Sequence, residues 1–264
     1  MDFKDKVVWI TGASSGIGEA LAYSLANEKS KLIISSYEKD ELNKVKDNCL
    51  KLTKECYAIV FNLLYPEEIL KATKEVLKKY DKIDILINNG GISQRSLIIE
   101  TPIELDRKIM EINYFGGITL TKAILPSMIK NNGGHIVVTS SISGRFGFPL
   151  RSAYAASKHA IYGFYETLRT ELYKDKINVT IVCPGRIKTN ISRNALTKNG
   201  SSHGIMDAGQ EEGISVEKCA KKIIRAIKKN KKEVLIGGKE ILMVYIKRFF
   251  PRLFNKIVLK INPT

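Results

Sequence analysis

Seven short apolar runs, most of them β-branched, punctuate the chain: KVVWIT at 6–11, KLIISS at 31–36, CYAIVF at 56–61, KIDILIN at 82–88, GHIVVTS at 134–140, INVTIVC at 177–183 and EVLIG at 233–237. Most are continuous and not alternating, which is the pattern of strands covered on both faces. The segments between them carry a helical period. In PEEILKATKEVLKKY at 66–80, Ile69, Leu70, Thr73, Val76 and Leu77 repeat at three and four. The chain therefore reads as a βαβ series, an α/β domain on a parallel sheet of about seven strands flanked by helices. Its 264 residues suit one core, and no Pro/Gly/Ser-rich linker or internal repeat divides them. A domain is expected over 1–238 and a basic amphipathic tail over 239–264. The least patterned stretch, 189–213, is too long for an idle loop and is either functional or disordered.

The chemically loaded residues follow the strand ends. After the first run comes TGASSGIG, with Gly12, Gly16 and Gly18; after the second come Ser36 and Tyr37, and after the third Asn62. NNGG at 88–91 follows the fourth, Ser140 and Ser141 the fifth, and PGRIKT at 184–189 the sixth. In an open α/β sheet, ligands bind in the crevice outside those carboxyl ends, so six loops converge on one site. A glycine-rich turn between strand and helix lets backbone approach a pyrophosphate and offers it free N–H groups. On its own such a turn is also an ordinary connection.

Tyr154 and Lys158 stand four apart, which on a helix puts both on one face. A nearby ammonium favours the anion of a phenol whose isolated pKa is about 10, so the pair would make a proton donor and acceptor near neutrality. The spacing alone is common on surface helices. Ser141, thirteen residues upstream at a strand end, makes it specific.

Together TGASSGIG, NNGG, Asn113 in EINYFG, Ser141, YAASK and PGRIKT resemble the short-chain dehydrogenase/reductase family, over residues 5 to about 237. Within it SSISGRFGFPLRSAYAASKHAIYGF is most similar to the 11β-hydroxysteroid dehydrogenase-like and member 7-like reductases. The resemblance implies a single doubly wound Rossmann-type sheet and a ketone or secondary alcohol as substrate, with hydride transfer to or from a nicotinamide cofactor. It gives Tyr154 the part of general acid and base, and has Ser141 hold the substrate oxygen beside it. Lys158 would bond the ribose and lower the phenol pKa, and Asn113 would anchor a water leading to Lys158. Gly12, Ser14, Ser15, Gly16, Ile17 and Gly18 would take the pyrophosphate, Asn89 and Gly90 would lie by the cofactor, and Ile187 and Thr189 would meet the carboxamide. It also implies a homodimer or homotetramer built on the helices within 102–131 and 152–174, and a lid at 189–213 carrying Ile191, Leu196, Ile205 and Met206. Two positions depart from the family's usual pattern: Gly90, where alanine is common, and Asn62, where aspartate is common and whose carbonyl would accept from the adenine amine.

An acidic residue ending the second strand would favour NAD and an arginine there NADP. This chain has Ser36 and Tyr37, then Glu38 and Lys39. The serines, a Tyr37 platform beneath adenine and the basic balance lean toward NADP(H) over NAD(H). A 3-oxoacyl-(acyl carrier protein) reductase is the alternative enzyme, and a non-catalytic dinucleotide-binding scaffold the alternative of another class.

Composition excludes more than it assigns. The formal charge is +16, from 43 Lys and Arg against 27 acidic residues, but the lysines are scattered, which argues against nucleic acid as a partner. Cys49, Cys56, Cys183 and Cys219 show no metal spacing and no disulfide framework, so no metal is expected and a reducing, cytoplasmic setting fits. The first strand begins too soon for an export signal. His135, His159 and Cys183 read as structural, and His203 as a solvated loop residue. In the tail, Arg248, Arg252, Lys256 and Lys260 step by four opposite Ile246, Phe249, Phe250, Leu253 and Ile257, with Pro251 placed to begin a second helix. Such a segment would cover a pocket or a neighbouring subunit, or touch a membrane surface through 240–261.

Overall fold

The structure is a computed structural model that describes residues 2–260. Each apolar run becomes a strand: β1 (Val7–Thr11), β2 (Lys31–Ser36), β3 (Cys56–Val60), β4 (Ile85–Asn88), β5 (Gly134–Thr139), β6 (Ile177–Pro184) and β7 (Glu233–Ile236). They pair in parallel as one sheet in the order β3-β2-β1-β4-β5-β6-β7. Helices α1 (Gly16–Asn27), α2 (Lys39–Leu50), α3 (Pro66–Lys79), α4 (Ile103–Met110), α5 (Gly116–Lys130), α6 (Ser152–Glu171), α7 (Ala208–Glu211), α8 (Val216–Lys228), α9 (Leu242–Phe249) and α10 (Pro251–Val258) connect or follow the strands. The order reverses at β1, which pairs β2 on one side and β4 on the other. Crossovers leave that point in opposite directions and open a crevice above the carboxyl ends of β1 and β4.

Alternate residues of the continuous apolar runs fill two cores. Val8, Ile10, Leu32, Ile34, Ile85 and Ile87 pack under α1, α2 and α8 with Leu21, Leu25, Leu42, Ile223 and Ile227. Trp9, Ile33, Leu86, Ile136, Val138 and Val179 pack on the other face with Ile69 and Val76 of α3, Leu120 of α5 and Ile161 of α6. That is why the strands lack alternation: both side-chain directions end in a helix layer. β4 starts at Ile85, three residues later than the apolar run suggests. Asp84 turns its carboxylate to the Val7 N–H at 2.9 Å and to the Lys6 and Lys82 ammonium groups at 3.2 Å each, which fixes the entry to the strand.

His135 in β5 is fully buried, as a structural histidine should be. The Thr180 hydroxyl donates to Lys231 O at 2.6 Å, so it accepts from His135 Nε2–H at 2.8 Å, and Nδ1 is left without a partner among the described residues. Burial, with the Lys232 charge adding to it, pulls the imidazole down from 6.5 to about 4. The folded state therefore binds fewer protons than the unfolded state in that window. The stability this neutral ring supplies is complete above about 6.5 and lost as pH falls toward 4, on the order of 3 kcal/mol at the limit. Denaturant midpoints followed from pH 7 to 4 should fall steeply, and His135→Gln should flatten that slope.

Candidate active site

A cleft of about 730 Å³ follows the carboxyl edge of the sheet, from Ser36–Glu38 past the glycine turn to Tyr154. At its start Gly12 has φ +62, the left-handed conformation, and a Cβ there would fall 2.6 Å from Gly90 Cα. The turn and the NNGG strand end are thus packed backbone to backbone. Gly12, Ser14, Ser15, Gly16 and Ile17 line the cleft, whereas Gly18 is buried behind them, where a Cβ would overlap the Gly12 carbonyl oxygen. Ser15 caps α1 without a side-chain hydrogen bond, so the first N–H groups of that helix are not spent on their cap. A backbone cradle at a helix N-terminus suits a pyrophosphate.

Around it the expected residues divide. Ser36 Oγ donates to Ser14 Oγ at 2.9 Å, and Ser14 Oγ donates to the Glu38 carboxylate at 2.5 Å, so Glu38 is drawn over the turn while Tyr37 is 63% exposed beside it. Asn89 lines the cleft, but its side chain ties strand ends together: Nδ2 donates to Thr11 O and Gly12 O at 3.3 and 3.2 Å, and Oδ1 accepts from Thr139 Oγ1 at 3.3 Å. Asn62 also lines it, with Oδ1 accepting from Leu64 N at 3.0 Å. At Gly90 a Cβ would sit 2.7 Å from Leu63 Cδ1, so Leu63 occupies the space that an alanine methyl would need.

At the other end Ser141, Tyr154 and Lys158 are all buried and all line the same cleft. Lys158 Nζ donates to Thr139 O at 2.8 Å and stands 5.7 Å from the centre of the Tyr154 ring. Burial takes the ammonium down to about 8. Burial likewise pushes the Tyr154 phenol above its ordinary range; the Ser141 hydroxyl bonded to it pulls back, followed by the charges of Arg151 and Arg95. The lowering expected from Lys158 falls instead to the serine and the two arginines. Asn113 is buried within a single π-turn over 111–115, an irregularity found often at functional sites. Its amide accepts from Ile92 N at 2.8 Å and donates to Ile92 O at 2.9 Å and to Ser157 Oγ at 3.0 Å, which fixes the 90–92 turn to α6. Ile187 and Thr189 line the cleft, and Gln210 of α7 donates to Ile187 O and to Thr189 Oγ1.

Arg95, Arg151, Asp207, Phe146 and Phe148, none of them singled out from the sequence, also line the cleft. Phe254 of α10 is buried against Phe146 at 5.3 Å between ring centres, so the tail buttresses the wall of the cleft. Its other aromatic residues, Tyr245, Phe249 and Phe250, are exposed among basic neighbours. No described helix is long and apolar enough to cross a membrane, and Ile261 at the end of the expected contact segment lies outside the described residues. In the 189–213 segment Ile191 and Leu196 line the cleft, Ile205 is exposed, and Met206 takes a hydrogen bond from Ser192. No His/Cys/Asp/Glu cluster among the described residues fits a metal, and Cys49, Cys56, Cys183 and Cys219 are buried free thiols.

The sheet order and the glycine turn define a doubly wound α/β domain whose cleft carries Ser141, Tyr154 and Lys158 on one wall. Residues 6–200 match the family model of the short chain dehydrogenase, and the chain belongs to the short-chain dehydrogenase/reductase family as an oxidoreductase of CH–OH groups. It is 42% identical over 260 residues to dehydrogenase/reductase SDR family member 7B of Xenopus laevis, covering 96% of this chain and 80% of that one. A short chain dehydrogenase/reductase from Burkholderia phymatum, solved in complex with NAD, superposes with a TM-score of 0.85 at 22% identity, over 100% of this chain and 98% of that one. The alcohol dehydrogenase of Thermococcus sibiricus, solved with 5-hydroxy-NADP, gives 0.75 at 23% identity over 89% of this chain and 97% of that one. Both share the fold.

Proposed function

We propose that this chain interconverts a ketone and a secondary alcohol, with a nicotinamide dinucleotide held along the cleft and Tyr154 as the proton donor and acceptor. The reading rests on one observation: Ser141, Tyr154 and Lys158 are buried together on the wall of the cleft that begins at the glycine turn. When bound, the dinucleotide supplies or accepts the hydride, so the protein need only align two carbons and move one proton. The backbone cradle of 12–17 and the α1 N-terminus would hold the pyrophosphate. Ser141 would hold the substrate oxygen against the phenol, since its hydroxyl is near enough to pull the Tyr154 pKa back down. Lys158, fixed on Thr139 O, would bond the ribose and keep positive charge beneath the ring. Ile92, Phe146, Phe148, Ile191 and Leu196 give the substrate end an apolar wall, which suits a ketone with a hydrocarbon part. Titration with reduced dinucleotides followed by a panel of apolar ketones tests the assignment; binding without turnover on any member would contradict it.

The cofactor preference turns on Glu38. The sequence leaned to NADP(H), but the charged side chain drawn over the glycine turn is this carboxylate, while Lys39 is exposed and off the cleft. A carboxylate accepts from ribose hydroxyls and repels a 2′-phosphate. NADH should bind roughly tenfold tighter than NADPH, and Glu38→Gln should recover about that factor for NADPH. Equal affinities in the unchanged protein would reject this role.

A further inference from the structure

The 189–213 segment is not a loose cover. Leu196 N donates to Ser93 O at 2.9 Å and Arg95 N donates to Leu196 O at 2.8 Å, which pins it to the turn after β4. Further along, its buried acidic residue Asp207 enters between two arginines from distant parts of the chain. Arg95 Nε lies 3.3 Å from Oδ1 and its Nη2 bonds Oδ2, while Arg151 Nη2 donates to the same Oδ2 at 2.8 Å. The side chains of Arg95, Asp207 and Arg151 are 3%, 7% and 11% exposed. Arg95 is further committed to Ser93 Oγ at 3.0 Å and Gln94 O at 2.6 Å, Arg151 to Pro149 O at 3.3 Å, and Asp207 N to Ser192 Oγ at 3.3 Å. Two cations thus share one carboxylate in a place where unpaired charge is costly. Arg151 immediately precedes α6, three residues before Tyr154, so the cluster adjoins the phenol.

We propose that Asp207 is a positioning residue for the reaction: by gathering Arg95 and Arg151 beside Tyr154, it makes the seating of the 189–213 segment and the charge around the phenol a single event. The proposal rests on the hydride-transfer reading and deepens it. With Asp207 seated, the arginines are held together and water is kept from the phenol. Without it, two like charges are left facing each other, and the segment loses its inner anchor.

The groups facing Tyr154 are Ser141 after β5, Cys183 on β6, Lys158 and Arg151 on and before α6, Arg95 after β4, and Asp207 beyond them. Removing a cation from this set disfavours the phenolate, and removing the carboxylate favours it. In alcohol oxidation the phenolate is the base, so the acidic limb of the kcat/KM profile reports the difference. Arg151→Gln should move that limb to higher pH and Asp207→Asn to lower pH, each on the order of one pH unit. Arg151→Lys should keep it near the original position.

Asp207→Asn should also lower kcat and raise KM for the alcohol, together by roughly tenfold in kcat/KM, with dinucleotide affinity unchanged. Amide exchange across 189–213 should quicken in the same variant, a readout that needs no turnover. A residue that only held the segment down would cost activity in both variants and leave the limb in place. Limbs that stay put, or shift in the same direction, overturn the proposal, as does unchanged exchange in Asp207→Asn. If Asp207→Asn does not fold, the Arg151→Gln and Arg151→Lys limbs decide. Failure of the underlying reading looks different: the unchanged protein binds dinucleotide and turns nothing over, which sinks both.

Discussion

Tyr154→Phe is expected to lower turnover by about three orders of magnitude while leaving dinucleotide affinity within roughly twofold. The phenol is buried on the cleft wall that also carries Ser141, and the ring itself packs against its surroundings. Phenylalanine keeps that ring and removes only the oxygen to which proton transfer is assigned in the proposal. Lys158 stays on Thr139 O, and the glycine turn lies at the other end of the cleft, so the binding groups remain in place. The nearby titratable groups are placed differently: burial lifts the Cys183 thiol to about 12, and the Lys158 ammonium, taken down to about 8, is held on Thr139 O. Steady-state rates beside a fluorescence titration of the cofactor separate the two effects. A variant that retained a tenth of the rate would remove Tyr154 from the chemistry.

Gly18→Ala is the second large effect, and it acts on the fold of the site. A Cβ at this position would overlap the Gly12 carbonyl oxygen and stand 2.7 Å from Asn89 Nδ2 and 2.8 Å from the Gly12 carbonyl carbon. None of those atoms sits on a rotatable tip: two belong to backbone, and the third belongs to a side chain tied to Thr11, Gly12 and Thr139. Helix α1 would have to withdraw from the turn it caps, at a cost of about 3 kcal/mol. Dinucleotide affinity should collapse with it. Gly90→Ala provides the contrast, since the one atom its Cβ would crowd is the end of the Leu63 side chain, which can rotate, while Gly12 N and Thr11 Oγ1 lie at 3.4 and 3.5 Å. Denaturant midpoints and cofactor titrations of the two variants should differ sharply. A Gly18→Ala protein as stable as the original would show that the turn has slack the packing does not suggest.

The sheet was legible because each strand lies between two helix layers. That burial writes a continuous apolar run into the sequence, and all seven runs became strands. The missed boundary at β4 came from a side chain, Asp84, reaching across to the neighbouring strand. Ser141, Tyr154 and Lys158 could be read from local spacing because the strand end and the helix face that carry them are local features. The Arg95–Asp207 pair spans 112 residues of chain, and no periodicity records such a meeting. Asn89 and Asn62 sit where expected on the cleft, yet their side chains serve the turns that shape it. In the tail, Pro251 opens a second helix as expected, which also resets the helical phase. A continuous wheel through 242–258 therefore singles out Phe249, Phe250 and Leu253, while the residue that anchors the tail is Phe254.

The most direct test of the account is a single-turnover experiment on the dinucleotide-loaded protein: reduced cofactor is bound, a panel of apolar ketones is added, and loss of the reduced nicotinamide is followed against alcohol formed. The account expects at least one ketone to consume the bound cofactor in equal amount with alcohol produced. A loaded protein that leaves its cofactor reduced against the whole panel would contradict it.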